Sequence, residues 1–206
     1  KTAARFLALI LTAVCMSSAW SDELQQPDPG KRIRVFLLAG QSNMEGRANG
    51  LSLTPQDKER LREAQKRVQL AYNFQPVQPL DVVEPSSDIK ELYQVDRIFG
   101  PELFLGIALA EAWPGEKLLL IKLAAGGTSL YGAWNPAWTR KQAATIKEED
   151  EPRLFTDFVS YIKQVLSGYP SDQYEIGGMF WVQGESDAPV PQAAEAYGTN
   201  LGALVQ

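Results

Sequence analysis

Residues 33–44 read IRVFLLAGQSNM, and this stretch decides the fold class. Its first seven residues are apolar apart from Arg34, and the apolar run ends at Gly40. A short, continuous apolar run that stops at a glycine is typical of a strand buried on both faces of a parallel sheet. The polar turn that follows carries Ser42 two residues after the glycine. The stretch therefore predicts a buried strand that ends in a serine-bearing turn.

The pattern of an apolar strand followed by a polar or glycine-rich turn occurs twice more. Residues 118–123 lead into Gly126 and Gly127, and residues 176–182 lead into 183–187, which read QGESD. Apolar residues at helical spacing lie between and after these strands, over 101–110, 152–166 and 194–204. Strands that alternate with helices predict an α/β fold, with a parallel sheet covered by helices on both faces. Ligands bind such folds beyond the carboxyl ends of the strands, so the three turns should share one crevice.

The segment between the first two of these strands is harder to interpret. Thr54 and Pro55 predict the N-cap and first position of a charged helix that reaches about Lys66. Residues 68–72 fit either a helix or a strand. Residues 73–96 are rich in Pro, Asp and Ser and predict a long surface loop.

Residues 1–19 have the composition of a secretory signal peptide. Basic residues precede an apolar run from Phe6 to Met16, and small residues follow it. The run is too short to span a bilayer, so we expect a secreted or periplasmic protein without a membrane segment after cleavage. Residues 20–32 predict a polar linker, and 33–206 predict one domain. The only cysteine, Cys15, lies in the segment expected to be removed, which excludes disulfides afterwards.

Composition excludes two classes of function. The 206 residues carry a net charge of -5, whereas binding to nucleic acid needs a clustered excess of Lys and Arg. The sequence contains no histidine, and without the cysteine only scattered carboxylates are left as strong metal ligands. We therefore expect neither a nucleic-acid partner nor a catalytic metal.

The three turns offer the groups that acyl transfer needs. A serine on a tight strand-to-helix turn is exposed as a nucleophile, and backbone N–H groups there point at a developing oxyanion. A glycine pair lets the backbone approach a substrate, and the amide of Gln183 can donate a further hydrogen bond. Each turn alone also fits a simpler interpretation, a helix N-cap for Ser42 and ordinary loops for the other two. Their shared position at the strand ends favours a site.

Two familiar motifs do not fit the first turn. Met44 stands where a Gly-x-Ser-x-Gly elbow has its second glycine. No Gly-Lys-Ser/Thr follows, as a phosphate-binding loop would require.

Four ordered motifs resemble a known group of enzymes, the sialate O-acetylesterases and acetylxylan esterases. This group is carbohydrate esterase family six of the SGNH hydrolase superfamily. The motifs are LAGQSNM at 38–44, GPE at 100–102, AGGTSL at 125–130 and WVQGESDA at 181–188, and the resemblance covers about 33–206. It implies a flavodoxin-like three-layer fold with about five parallel strands. It also implies an acetylesterase that needs no cofactor and acts on an acetylated carbohydrate; the identity of the sugar and the oligomeric state stay open.

The resemblance assigns roles to residues of the three turns. It makes Ser42 the nucleophile and its backbone N–H one oxyanion donor. The turn at Gly126 and Gly127 supplies a second donor through a main-chain N–H, with Gly127 preferred. Gln183 stands where most of the superfamily has Asn and supplies the third. Glu185 either orients a histidine, as a member of the triad, or holds its loop.

Substrate-binding candidates lie beside the same motifs. They are Asn43, next to the serine, and the aromatic residues Tyr131, Trp134 and Trp138. The aromatic rings either stack on sugar faces or pack the loop against the core.

The catalytic histidine that the family uses is absent from the sequence, and no lysine lies in the three turns to replace it. Removing the base from such a triad costs on the order of 10⁴-fold in rate. We therefore expect 33–206 to lack its C-terminal part, with a further strand and an Asp-x-x-His loop beyond Gln206. The alternative is a secreted carbohydrate-binding pseudoenzyme that has lost its base. A lipase-like or thioesterase member is disfavoured by the sequence QGESD.

Overall fold

The structure, a computed structural model, describes residues 32–206. The predicted signal peptide, 1–19, and all but the last residue of the predicted linker, 20–32, lie outside the described residues. The described chain contains seven strands and seven α-helices, with a short 3₁₀ turn at Gly50–Ser52. In chain order they are β1 (Ile33–Gly40), α1 (Ser42–Glu45), β2 (Ala48–Asn49), α2 (Pro55–Ala64), β3 (Val68–Tyr72), β4 (Gln78–Pro79), α3 (Ser87–Tyr93), β5 (Ile98–Phe99), α4 (Pro101–Ala112), β6 (Lys117–Ala124), α5 (Arg140–Ala144), α6 (Leu154–Leu166), β7 (Tyr174–Val182) and α7 (Pro191–Val205).

Five strands form the central sheet in the order β4-β3-β6-β1-β7. The neighbours β3, β6, β1 and β7 run parallel, and only the two-residue strand β4 is antiparallel. β1 lies between β6 and β7, so the serine turn leaves the sheet between the other two predicted turns. Within residues 32–206, β7 pairs only with β1 and is an edge strand, with Ile176, Phe180 and Val182 exposed. β2 and β5 form a separate two-stranded sheet.

Helices cover the sheet on both faces and create two cores. One core packs α2, α3 and α4 against side chains such as Leu38 and Leu120. The other packs α6 and α7 against the opposite face, where Val35, Leu119 and Ile121 point. β1 and β6 are apolar on both faces because both of their faces are covered, which is the reason for their continuous apolar runs. The predicted three-layer α/β fold is confirmed.

Local sequence signals explain where the helices begin. The Thr54 side chain accepts from the backbone N–H of Asp57 at 3.1 Å, while the Asp57 carboxylate accepts from Thr54 N–H, which makes a capping box for α2. Pro55 and Pro101 occupy the first positions of α2 and α4, where the missing N–H of proline has no cost. α2 ends at Ala64, slightly before the predicted Lys66.

The segment 73–96 differs from its prediction. Residues 68–72, which fitted a helix or a strand, form β3. Residues 73–96 are not a surface loop, because they contain β4 and α3 and contribute four buried side chains to the core: Leu80, Val83, Ile89 and Val95. These apolar residues are spaced irregularly among prolines and acidic residues, so no periodic pattern announces their burial.

Residues 32–206 contain neither a membrane-spanning helix nor a cluster of metal-binding side chains. None of the helices in this range has the length and apolar character needed to cross a membrane. The same residues contain no group of three or more acidic, histidine or cysteine side chains arranged to hold a metal ion.

Candidate functional site

The serine turn is held tightly against the end of β7. A Cβ atom on Gly40 would stand 2.1 Å from the carbonyl oxygen of Val182, and φ at Gly40 is +150°, so only glycine fits there. The close approach lets the Gln41 N–H donate to the Val182 carbonyl at 3.0 Å. Ser42 then begins α1 and is half-buried. Neither its hydroxyl nor its backbone N–H has a hydrogen-bond partner among residues 32–206.

The glycine turn after β6 lies directly beside the serine. The Ala125 N–H donates to the carbonyl of Gly40 at 3.2 Å, which joins the two turns. A Cβ atom on Gly126 would lie 3.5 Å from the Cβ of Ser42, so the predicted convergence of these turns is observed. Gly127 is exposed, and its N–H also finds no acceptor in the described part of the chain. Two adjacent turns thus present backbone N–H groups that have no hydrogen-bond acceptor among residues 32–206.

Gln183, the predicted third oxyanion donor, is occupied inside the protein. Its amide nitrogen lies 2.6 Å from the Asp187 carboxylate, 3.1 Å from the side-chain oxygen of Gln41 and 3.2 Å from the carbonyl of Thr128. Its amide oxygen accepts from the Tyr197 hydroxyl at 2.9 Å. Three acceptors around two amide hydrogens leave no donor for a substrate. The prediction is therefore corrected: Gln183 joins the three turns to one another and does not face an oxyanion.

The acceptor at the centre of this network is Asp187, to which the sequence analysis gave no role. Asp187 is buried and accepts from the backbone N–H groups of Leu130 and Tyr131 at 2.9 and 2.8 Å, in addition to Gln183. It fixes the loop after the glycine turn to the third turn. The motif contains this aspartate, but its two backbone partners, Leu130 and Tyr131, lie more than 50 residues away in sequence, and only the fold brings them together.

A second buried carboxylate supports the same loop. Glu148 accepts from the Ser129 hydroxyl at 2.9 Å and from the Ala133 N–H at 2.8 Å. Burial raises the pKa of Glu148, although these hydrogen bonds oppose the shift. Two buried carboxylates, Asp187 and Glu148, therefore hold the loop that follows Gly127.

Glu185 lies beside the serine turn. Its carboxylate accepts a hydrogen bond from the side-chain amide of Asn43, and both residues are exposed. The structure thus brings together Ser42, Asn43 and Glu185, three of the residues that the sequence singled out. The role of Glu185 toward a histidine stays a prediction.

The aromatic candidates do not form a sugar platform together. Trp134 is fully buried, donates its indole N–H to the Thr128 hydroxyl at 3.1 Å and packs edge-on against Trp181 and Phe158. It presents no face to a substrate, so the prediction that it binds sugar is wrong and the alternative of loop packing applies. The Arg153 guanidinium covers one face of Trp138 at 4.1 Å. Tyr131 is half-buried and stays a candidate.

Two charged groups next to the site were not found from the sequence. Nη2 of Arg47 lies 2.4 Å from the position that a Cβ on Gly126 would take, so the guanidinium lies against the glycine turn. Lys122, on β6, is fully buried; its ammonium donates to the carbonyl of Glu45 at 2.9 Å and pairs with the fully buried Glu102 carboxylate. Burial lowers the pKa of Lys122. A lysine inside an apolar strand and a glutamate after the Gly-Pro pair are the only sequence signals for this pair.

Comparison with protein families decides the classification. Residues 32–206 match the family model described as "Carbohydrate esterase, sialic acid-specific acetylesterase". The chain belongs to this carbohydrate esterase family. The resemblance inferred from the four motifs is thereby confirmed at the level of the family. Comparison with curated proteins gives no significant match.

Solved structures show similarity to this carbohydrate esterase in its fold. A protein from Arabidopsis thaliana is similar at 20% identity, with a TM-score of 0.57 over 84% of this chain and 66% of that protein. NanS matches at 18% identity and a TM-score of 0.47, over 84% of this chain and 63% of NanS. A carbohydrate acetylesterase from Xanthomonas citri matches at 17% identity and a TM-score of 0.36, over 75% of this chain and 33% of that enzyme. The chain thus spans slightly less than two thirds of the length of the first two proteins.

Proposed function

We propose that this chain carries the acyl-transfer site of a serine acetylesterase, with Ser42 as the nucleophile and an O-acetylated carbohydrate as the substrate. The observation that carries the proposal is the environment of Ser42. Its hydroxyl lies just beyond the carboxyl end of β1, and the free N–H groups of Ser42 and Gly127 lie in adjacent turns. The membership of residues 32–206 in a carbohydrate esterase family supports the nature of the substrate.

The proposed reaction has two steps. The Ser42 oxygen attacks the acetyl carbonyl, and the carbonyl oxygen becomes an oxyanion that the two N–H groups hold. As the tetrahedral intermediate collapses, the bond to the sugar oxygen breaks, and that oxygen receives the proton that a base took from Ser42. Water then attacks the acetyl-enzyme and releases acetate, returning the proton to Ser42. Two backbone donors replace the three that the sequence suggested, because the Gln183 amide is occupied internally.

The base in this proposal is a histidine contributed from outside the 206 residues, which contain none. Glu185 is proposed to face this histidine, because its carboxylate already lies beside Asn43, the residue next to Ser42. A serine hydroxyl is a weak nucleophile without such a base.

The test is acetate release from p-nitrophenyl acetate and from an O-acetylated sugar by the full-length protein. Ser42→Ala should reduce turnover to the background rate on both substrates. Ser160→Ala is the matched control, because Ser160 is exposed on α6, far from the three turns in sequence, and should retain wild-type turnover. If the Ser42→Ala protein keeps more than a few per cent of wild-type turnover after contaminating esterases are excluded, the proposal is wrong.

A further inference from the structure

The end of β6 leads directly into the glycine turn, so the position of that turn depends on how this strand end is held. β1 holds it on one side, where Ala124 pairs with Gly40 and the Ala125 N–H donates to the Gly40 carbonyl at 3.2 Å. On the other side β3 is too short to do the same, because its last pair with β6 joins Tyr72 to Lys122. The buried backbone groups of Ala124 on that side therefore need another partner.

That partner is the side-chain amide of Asn73. Its oxygen accepts from the Ala124 N–H at 3.0 Å, and its nitrogen donates to the Ala124 carbonyl at 3.1 Å. The backbone N–H of Asn73 also donates to the carbonyl of Lys122 at 2.9 Å, which places the side chain beside the end of β6. One amide group thus continues the pairing of the sheet for two backbone groups that β3 does not reach.

The backbone at the end of β3 has a conformation that few side chains adopt. φ is +43° at Asn73 and +63° at Phe74, whereas residues other than glycine rarely take positive values, asparagine more often than most. Such a conformation persists only where the surrounding structure holds it. Here the Phe74 ring packs with its centre 4.7 Å from that of Tyr161, and the Tyr161 hydroxyl donates to the Gln75 carbonyl at 3.2 Å. The fold thus maintains an unfavourable turn in which the Asn73 amide meets Ala124.

The position of Gly127 depends on the backbone on either side of it. A Cβ atom on Gly127 would have no contact within 4 Å outside its chain neighbours. Asp187 and Glu148 hold the loop that follows, so the support before Gly127 is the end of β6. We propose that Asn73 is a positioning residue of the oxyanion site, which holds the end of β6 so that the Gly127 N–H keeps its place in the turn beside Ser42. The inference rests on the proposed function, because it requires an oxyanion at that N–H.

Asn73→Gly tests this role with little backbone strain, because glycine adopts positive φ readily and lacks only the amide. The full-length protein would be assayed for acetate release from p-nitrophenyl acetate, with its folding checked by far-UV circular dichroism. Loss of a whole oxyanion donor costs about 10²- to 10³-fold in kcat, so a donor that is displaced but present should cost about 10- to 100-fold, with KM within about two-fold of wild type. A residue that only stabilises the fold would lower the midpoint of urea unfolding and leave the kcat of the folded protein unchanged.

A second variant and a matched control complete the design. Asn73→Asp keeps the shape of the side chain and the acceptor for the Ala124 N–H, but it places an oxygen instead of a donor against the Ala124 carbonyl. Its kcat should also fall by about ten-fold or more. Gln94→Gly is the control, because Gln94 has a φ of +52° and its amide donates to a backbone carbonyl, that of Glu91 at 2.6 Å, outside the three turns. This variant should keep the wild-type kcat.

The possible outcomes separate the two proposals. A fall in kcat of less than about ten-fold in Asn73→Gly would overturn the inference, as would a change in KM alone or an equal loss of kcat in Gln94→Gly. If Asn73→Gly does not fold, the same threshold applies to Asn73→Asp. Failure of the proposed function would instead be seen as turnover that persists in Ser42→Ala, whatever the kcat of the Asn73 variants.

Discussion

Replacing Lys122 by methionine tests the buried ion pair of Lys122 and Glu102, next to the helix α1 that Ser42 begins. The substitution keeps the length of the side chain but removes the ammonium from a site with no solvent exposure. Two acceptors then lose their donor, the Glu102 carboxylate and the backbone carbonyl of Glu45 at the end of α1. Glu102 keeps only the N–H of Gly100, at 2.9 Å, so its charge is left uncompensated.

The magnitude follows from these contacts. Breaking a buried ion pair by removing one partner costs about 3–5 kcal/mol, a large part of the stability of an ordinary domain. The double variant Lys122→Met/Glu102→Gln should be milder, because a neutral amide oxygen still accepts from Gly100 while no charge is stranded. Its main remaining loss is the donor to the Glu45 carbonyl, which costs about 1–3 kcal/mol.

Urea unfolding followed by far-UV circular dichroism measures both values. Lys117→Met is the control on the same strand, because Lys117 is exposed and should unfold at the wild-type urea concentration. A Lys122→Met protein that loses less than about 1 kcal/mol would refute the reasoning. So would a double variant that is less stable than the single one, because the stranded charge would then not be the cause.

Two further predictions concern the turns and the loop that carry the site. Gly40→Ala should destabilise the fold by about 1–3 kcal/mol because of the backbone conformation alone, and the clash with the Val182 carbonyl should add to this loss. A midpoint of urea unfolding equal to that of the wild type would contradict the prediction. The pKa of Glu148 is raised in the folded state above its ordinary value of 4.5, so the folded state binds the proton more tightly than the unfolded state does. The stability that this group contributes is present below pH 4.5 and is lost as the pH rises through the folded pKa. Urea unfolding at successive pH values should therefore show the wild type losing stability relative to Glu148→Gln as the pH rises from 4.5 through the folded pKa. Equal dependence of the free energy of unfolding on pH in the two proteins would argue against it.

The fold could be predicted from the sequence where burial on both faces of a strand requires a continuous run of apolar residues. β1 and β6 are covered on both faces, so their apolar runs predict buried strands directly. β7 has the same kind of apolar run, although its side chains are only half-buried or exposed at the edge of the described sheet. The prediction of a surface loop over residues 73–96 is wrong because the buried side chains in this segment are not periodically spaced. These side chains join a core whose other members come from elements distant in sequence. β3 could not be distinguished from a helix, because five residues are too few to decide between the two periods.

The meeting of the three turns was predictable from the sequence, but the orientation of their side chains was not. Ser42, Gly126 and Glu185 meet because parallel strands end at one edge of a sheet, which is a consequence of topology. Which way an amide or a ring points depends on partners far away in sequence. Gln183 turns inward because Asp187 and Gln41 accept its hydrogens, and Trp134 is buried because Trp181 and Phe158 pack against it. A motif in a single sequence does not show which distant residues its side chains will contact.

The position of β1 between β6 and β7 has a consequence for the order in which the protein acquires its structure. Of the strands in residues 32–206, β1 is synthesised first, yet it pairs with β6 and β7, and Asn43 meets Glu185 across 142 residues of chain. At ordinary rates of translation, about 7–30 s pass between the two ends of that contact. Parallel pairing over such separations is slow to form. A nascent chain therefore carries Ser42 and an unpaired apolar β1 long before the turns after β6 and β7 exist.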